Sequence, residues 1–176
     1  SNDKADRRDE KWGTDSPVSK ILLNDCDKII NMAILKDHGL AGATLALKNI
    51  AFGVTCNNSR FHGRDHIDKF IADVCAMKQV KDKVVLHMVD GLEGCFENGP
   101  MPRDVGSLFA PKTLWLSTDP VALDTVTLKV IEAKRKDKGL PPLAAVGRPA
   151  AHINAAAKSG LGTDNPKKID LKKVKA

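Results

Sequence analysis

Residues 29–38 read Ile29-Ile30-Asn31-Met32-Ala33-Ile34-Leu35-Lys36-Asp37-His38, a nearly unbroken apolar run that turns abruptly into charge. A run of this length, Ile29 to Leu35, suits a strand buried on both faces. Val84 to Val89 repeats the pattern as Val-Val-Leu-His-Met-Val and ends at Asp90-Gly91. Thr113 to Ser117 is a third strand candidate. The stretches around these runs have helical character. Val18 to Asn24 predicts a short helix, with Ser16 as its cap and Pro17 at the first helical position. Leucines and alanines from Leu40 to about Ala51 predict another. Ile67, Phe70, Ile71, Val74 and Met77 give residues 64–78 an amphipathic stripe. Thr118-Asp119-Pro120 is a good helix start, and that helix should run to about Lys136, before Gly139-Leu140-Pro141-Pro142. Ala150 to Ser159 predicts a last helix, stopped by Gly160 and Gly162. Apolar strands alternating with helices imply an α/β domain with a mainly parallel or mixed sheet and helices on both faces.

Three strands are few for such a sheet. Part of the fold is therefore expected upstream or in a partner. The opening Ser1-Asn2, with no Met and no apolar signal region, agrees with a fragment of a longer protein. Residues 1–15 are charged, have no apolar period and read as a poorly ordered lead-in tethered by Trp12. Residues 16–165 read as the α/β domain. Residues 166–176 read as a basic tail or an edge strand.

The 176 residues are 42% hydrophobic and 28% charged, an ordinary globular balance. No apolar run approaches the roughly 18–20 residues of a membrane span. Five Phe, two Trp and no Tyr argue against a base-stacking nucleic-acid platform. The net charge of +6 is uneven: 0 over residues 1–20, −2 over 21–133 and +8 over 134–176. A basic end segment reads as a solvated face or tail, or as a patch for an anionic partner. It lacks both aromatics and a known motif, so nucleic acid is not an expected partner.

In open parallel sheets, ligands bind beyond the carboxyl ends of the strands. That rule selects Lys36, Asp37 and His38 after the first strand, Asp90 after the second and Asp119 after the third. Glu93, Glu97 and Arg103, in the long Gly- and Pro-rich loop of residues 91–112, would lie over the same rim. Asp119 before Pro120 also reads as a helix cap. Asp124 falls among apolar helix positions and needs either a buried lysine or a place facing the site. Lys36 and Lys48 are candidate partners for it, or for a bound anion. His87, inside an apolar strand, reads as a core histidine. His62 and His66 are four apart, but His62 precedes the helix, so the spacing alone does not join them. His62 with a strand-end Asp would make a His/carboxylate metal site. Cys26, Cys56, Cys75 and Cys95 contain no C-x-x-C. They read as buried thiols, or as two disulfides in an exported protein.

One ordered set of segments adds to this reading. It comprises Ile34-Leu35-Lys36-Asp37-His38-Gly39, Ala46-Leu47-Lys48-Asn49, Arg60-Phe61-His62, Ile71-Ala72-Asp73, Val89-Asp90-Gly91, Asn98-Gly99-Pro100, Leu116 through Asp124, and Gly160-Leu161-Gly162. Over roughly residues 18–172 the chain resembles the C-terminal portion of the domain of unknown function family 362. The resemblance implies a longer N-terminal α/β half. It implies association with ferredoxin-type iron–sulfur modules, and in some members export signals with paired arginines, hence a periplasmic location. It implies no particular reaction. The family pattern falls on Lys36, His38, Lys48, Asn49, His62, Asp90, Asp119 and Asp124. The clustered cysteines of ferredoxin-linked members are missing, so an iron–sulfur cluster in this chain is not expected.

Two readings of function follow. In the first, His38, His62 and Asp90 bind a divalent metal or act as acid and base. Lys36, Lys48 and Asn49 then hold a small anionic substrate, Asp119 and Asp124 support the site, and the chemistry is metal-assisted or redox-linked. In the second, the domain is a non-catalytic docking module of a larger redox assembly. Its partner would be the missing N-terminal half or a ferredoxin-like module.

Overall fold

The computed structural model describes residues 16–63, 66–102 and 104–175. The lead-in of residues 1–15 with Trp12, and Arg103, lie outside the described residues. Among the described residues one mixed sheet forms from β1 (Ile29–His38), β2 (Gly42–Thr44), β3 (Val84–Cys95), β4 (Leu108–Phe109) and β5 (Thr113–Ser117). The order is β2-β1-β3-β4, and β5 also pairs with β3. β1 and β3 run parallel, with Ile34 opposite Asp90; the other pairs are antiparallel. The helices are α1 (Ala46–Val54), α2 (Ile67–Ala76), α3 (Lys78–Lys81), α4 (Pro120–Asp137) and α5 (Ala151–Lys158). The chain is an α/β protein with a mixed sheet. None of the described helices is long and apolar enough to cross a membrane.

Alternate residues of β1 meet very different surroundings. Asn31, Ala33, Leu35 and Asp37 are buried, whereas Ile30, Met32 and Ile34 are 57%, 65% and 52% exposed. Leu114 and Leu116 of β5, opposite Asp90 and Met88, are exposed as well. The strand expected to be buried on both faces is therefore buried on one. Likewise the helices, expected on both faces, cover one face among the described residues. On that face Ala33, Leu35 and Val89 pack against Leu123 and Ile131 of α4. A second cluster joins α1, α2 and α5, with Phe61 stacked on Phe70 at 4.1 Å.

The helix expected from Leu40 starts later, at Ala46. Gly42 has φ +75°, and a Cβ there would sit 2.4 Å from the Arg148 carbonyl oxygen. That backbone breaks the leucine–alanine run and leaves room for β2. Ser16 caps nothing: its hydroxyl donates to the Asn57 carbonyl and accepts from Arg60 Nε. Pro17 and Val18 precede a five-residue π-helical turn, Ile21–Asp25, and Val18 bridges to Thr55. β3 runs on to Cys95, five residues past Asp90, because glycine at 91 lets Trp115 of β5 close over the strand. Part of the expected long loop is thus strand. α4 begins as read, with Asp119 Oδ1 accepting from Ala122 N at 2.8 Å and Pro120 at its first position. Residues 169–175 form no strand; Ile169 and Leu171 line a cleft with Trp115 and Val126.

A cationic cluster as the candidate functional site

The pairing register of β1 with β3 shifts between Ile34 and Lys36, and the inside–outside alternation of the strand ends there, with Asp37 and His38 both buried. Asp37 turns into the buried layer. Lys36 and His38 instead lie close to Lys48 of α1 and to His62. His38 is buried, and its Nδ1 accepts from Leu40 N and Ala41 N, both at 3.1 Å. A nitrogen accepting two backbone N–H groups carries no proton, so the neutral ring has its proton on Nε2. Burial, then Lys48, His62, Lys36 and His152, lower the His38 pKa to about 3.

Lys48 comes from the first turn of α1 and is only 6% exposed. Its Nζ stands 4.2 Å from the Phe52 ring centroid, a cation–π contact. Phe52 meets His62 edge-on at 4.5 Å, and the His62 ring lies 5.7 Å from that of His38. Burial and then Lys36 bring the Lys48 pKa down to about 8. His62 is reached by solvent, yet burial and Lys48 lower its pKa too. Among the described residues no carboxylate pairs with Lys36 or Lys48. Two lysines and two imidazoles therefore gather with no counter-charge among the described residues.

The remaining candidates lie elsewhere. Asp90 sits within β3 on the bare sheet face, its Oδ1 accepting from Leu92 N at 2.8 Å. Asn49 donates to Asn31 Oδ1 and to the Met32 carbonyl, tying α1 to β1. β5 is antiparallel to β3, so Asp119 stands at the opposite end of the sheet from His38. There its Oδ2 accepts from Thr163 N. Asp124 pairs with no lysine. It is fully buried and accepts from Ala46 N and Leu47 N, capping α1 from another helix. Burial raises its pKa to about 7, against the pull of those two N–H groups. Glu97, expected over the rim, belongs to a closed network with Asp37, Arg135 and Arg148.

Among the described residues no group of three or more His, Cys, Asp or Glu side chains converges as a metal centre requires. The His38 tautomer agrees, since the one lone pair that its neutral ring offers, on Nδ1, is taken by the Leu40 and Ala41 N–H groups.

The family model described as Domain of unknown function (DUF362) matches residues 6–129. The chain belongs to the DUF362 family. No curated protein and no solved structure matches it. The DUF362 match contains Lys36, His38, Lys48 and His62 and ends within α4. The Gly160-Leu161-Gly162 segment lies beyond it. Cys26, Cys56, Cys75 and Cys95 are all free thiols. Cys75 donates to the Leu47 carbonyl and Cys95 to that of Glu97, and burial raises both pKa values.

Sequence reasoning missed three residues. Arg135 and Arg148 looked like part of a solvated basic end, yet Arg135 is 1% exposed and Arg148 holds Asp37 at 2.9 Å. His152 of α5 is fully buried, 3.5 Å from Asp68, and neither ring nitrogen has a hydrogen-bond partner among the described residues. Only Ile131, at i−4 to Arg135 and likewise buried, marked that helix face as inward.

Proposed function

We propose that this domain binds a small anion, a carboxylate or a phosphate, between Lys36, Lys48, His38 and His62. The observation that carries the reading is Lys48, an ammonium almost wholly buried with no carboxylate beside it among the described residues. A buried charge without a partner is costly, and an arriving anion supplies the partner. His38 Nε2–H adds a neutral donor, and Lys36 adds charge. His62, open to solvent, is the member of the set best placed to exchange a proton with a held substrate. The metal reading needs Asp90 beside the histidines, and its position on the bare sheet face does not support that.

The test titrates inorganic phosphate and acetate into the chain at pH 7, with ring nitrogen and lysine signals read by NMR. Saturable binding that raises the Lys48 pKa is expected. Lys48→Met should weaken it at least about tenfold, and Asp90→Asn should leave it unchanged. Stoichiometric binding of Zn²⁺ or Mn²⁺ that is lost in His38→Gln would replace the anion reading with the metal one.

A second reading, docking into a larger redox assembly, draws on the bare aliphatic face of Ile30, Met32, Ile34, Leu114 and Leu116. Sheets with a parallel pair are usually covered on both sides, and aliphatic patches of this kind mark interaction surfaces. An N-terminal half of the fold or a ferredoxin-like module would be the occupant. Met32→Lys with Leu116→Lys should abolish binding of a hydrophobic dye while leaving the unfolding midpoint nearly unchanged.

A further inference from the structure

A second site stands at the other end of the sheet, where β3 begins and α4 starts. A cavity of about 230 Å³ opens there between α1, α2, β3 and the segment after α5. Its walls are Ile50, Val80, Val84, Pro120 and Leu161, with His87 and Thr118 among them. His87 is 6% exposed, so more than nine-tenths of it is buried.

The hydrogen bonds behind His87 fix its proton. Asn31 Nδ2 lies 2.8 Å from the Ala46 carbonyl, which can only accept, so that end of the amide is the donor. Asn31 Oδ1 accepts from Asn49 Nδ2, also at 2.8 Å, in agreement. The same Asn31 Nδ2 lies 3.0 Å from His87 Nδ1. His87 Nδ1 must therefore accept, and the neutral ring carries its proton on Nε2. Among the described residues nothing hydrogen-bonds to Nε2. Burial lowers the His87 pKa to about 4, so the ring stays neutral near pH 7.

The charge around the cavity decides what it can hold. Asp119 adjoins Thr118 and acts on His87 electrostatically, which disfavours an anion. Lys81 and Asp82 stand together at the rim and offset one another, and Asp82 is paired with Lys78. What remains is an aliphatic enclosure with a single fixed N–H donor. We propose that this cavity binds a small, uncharged, largely apolar molecule through one carbonyl oxygen accepting from His87 Nε2–H. It is a site separate from the cationic cluster, facing the opposite end of the sheet. The Asn49–Asn31–His87 chain is the positioning element that holds the donor. Leu161, on the segment after α5, closes the cavity from outside.

The experiment uses the full chain labelled with ¹⁵N and cyclohexanone as the probe. Long-range ¹H–¹⁵N spectra should place the His87 proton on Nε2 before any probe is added. Cyclohexanone should then shift that nitrogen saturably, whereas cyclohexanecarboxylate should not. His87→Phe keeps a ring and removes the donor, and should weaken cyclohexanone binding about tenfold. Leu161→Trp fills the cavity from a partly exposed position and should abolish the response, which keeps the test sound if His87→Phe fails to fold. A proton on Nδ1, a response linear in cyclohexanone, or unchanged binding in Leu161→Trp would overturn the proposal.

Discussion

Asp37 and its two neighbours on β1 lie one residue apart and end in opposite kinds of electrostatic environment. On the inner face, Asp37 is fully buried and every charge near it is answered. Arg148 bridges Asp37 and Glu97, Arg135 pairs with Glu97 and donates to the Phe96 and Pro141 carbonyls, and Gly99 N donates to Asp37 Oδ1. Lys36 and His38 join Lys48 and His62, and the described residues pair no carboxylate with them. A network that satisfies itself holds segments together. A cluster that does not is destabilised until a counter-charge arrives, which is what the proposed anion would supply.

Breaking the closed network should have the largest effect. Asp37→Asn leaves the half-buried Arg148 with Glu97 as its remaining carboxylate and should cost about 3 kcal/mol, read as a lower urea midpoint with an unchanged slope. Anion binding by the cationic cluster should survive in the fraction that folds. Next is Asp124, whose carboxylate caps α1 and so fixes where Lys48 stands. Asp124→Ala should cost about 2 kcal/mol, and phosphate binding should weaken along with stability. An Asp124→Ala protein that binds phosphate as wild type would separate the cap from the cluster.

The pH dependence sharpens the contrast. His38 titrates near 6.5 when unfolded and at about 3 when folded. Between those values the unfolded chain binds the extra proton, so this group's contribution is complete above 6.5 and is lost as pH falls toward 3. After allowance for solvent screening, about 1–2 kcal/mol of acid sensitivity should disappear in His38→Gln, measured as the difference between the two stability profiles. The smallest stability change is expected at Lys48. Its folded pKa of about 8 lies below the ordinary 10.5, so the charged form opposes folding at pH 7 and the opposition fades as pH rises from 8 to 10.5. Lys48→Met should be as stable as wild type or up to about 1 kcal/mol more stable, while losing anion affinity. A large loss of stability would move Lys48 to the structural side of the comparison.

Much of the fold was legible along the chain. The run Ile29–Leu35 and its echo at Val84–Val89 became the central parallel pair, and Asp119-Pro120 opened α4. These signals are local: apolar period, a capping carboxylate and a fixed proline φ act within a few residues. Of the candidate site, Lys36, His38, Lys48 and His62 were legible and come together, whereas Asp90 and Asp119 were expected on the same rim and do not. For Asp90 the cause is the continuation of β3 to Cys95, which leaves that carboxylate within the strand, and for Asp119 it is strand direction. The sequence of β5 carries no mark of running antiparallel, yet its direction sends Asp119 to the far end of the sheet. Gly42 defeated the leucine–alanine pattern in a similar way, because its left-handed backbone is set by the close approach of Arg148.

The sequence by itself determined the class of fold, the family, and the placing of lysine, aspartate and histidine at the end of one apolar strand. The tertiary structure alone decided which of those charges is answered. Arg148 reaches Asp37 across 111 residues, and Asp124 reaches the start of α1 across 78. Contacts of that range depend on the path of the whole chain and leave no periodic trace. At the end of β1 that path gives Asp37 to the distant arginine and, among the described residues, leaves Lys36 and His38 without a carboxylate partner.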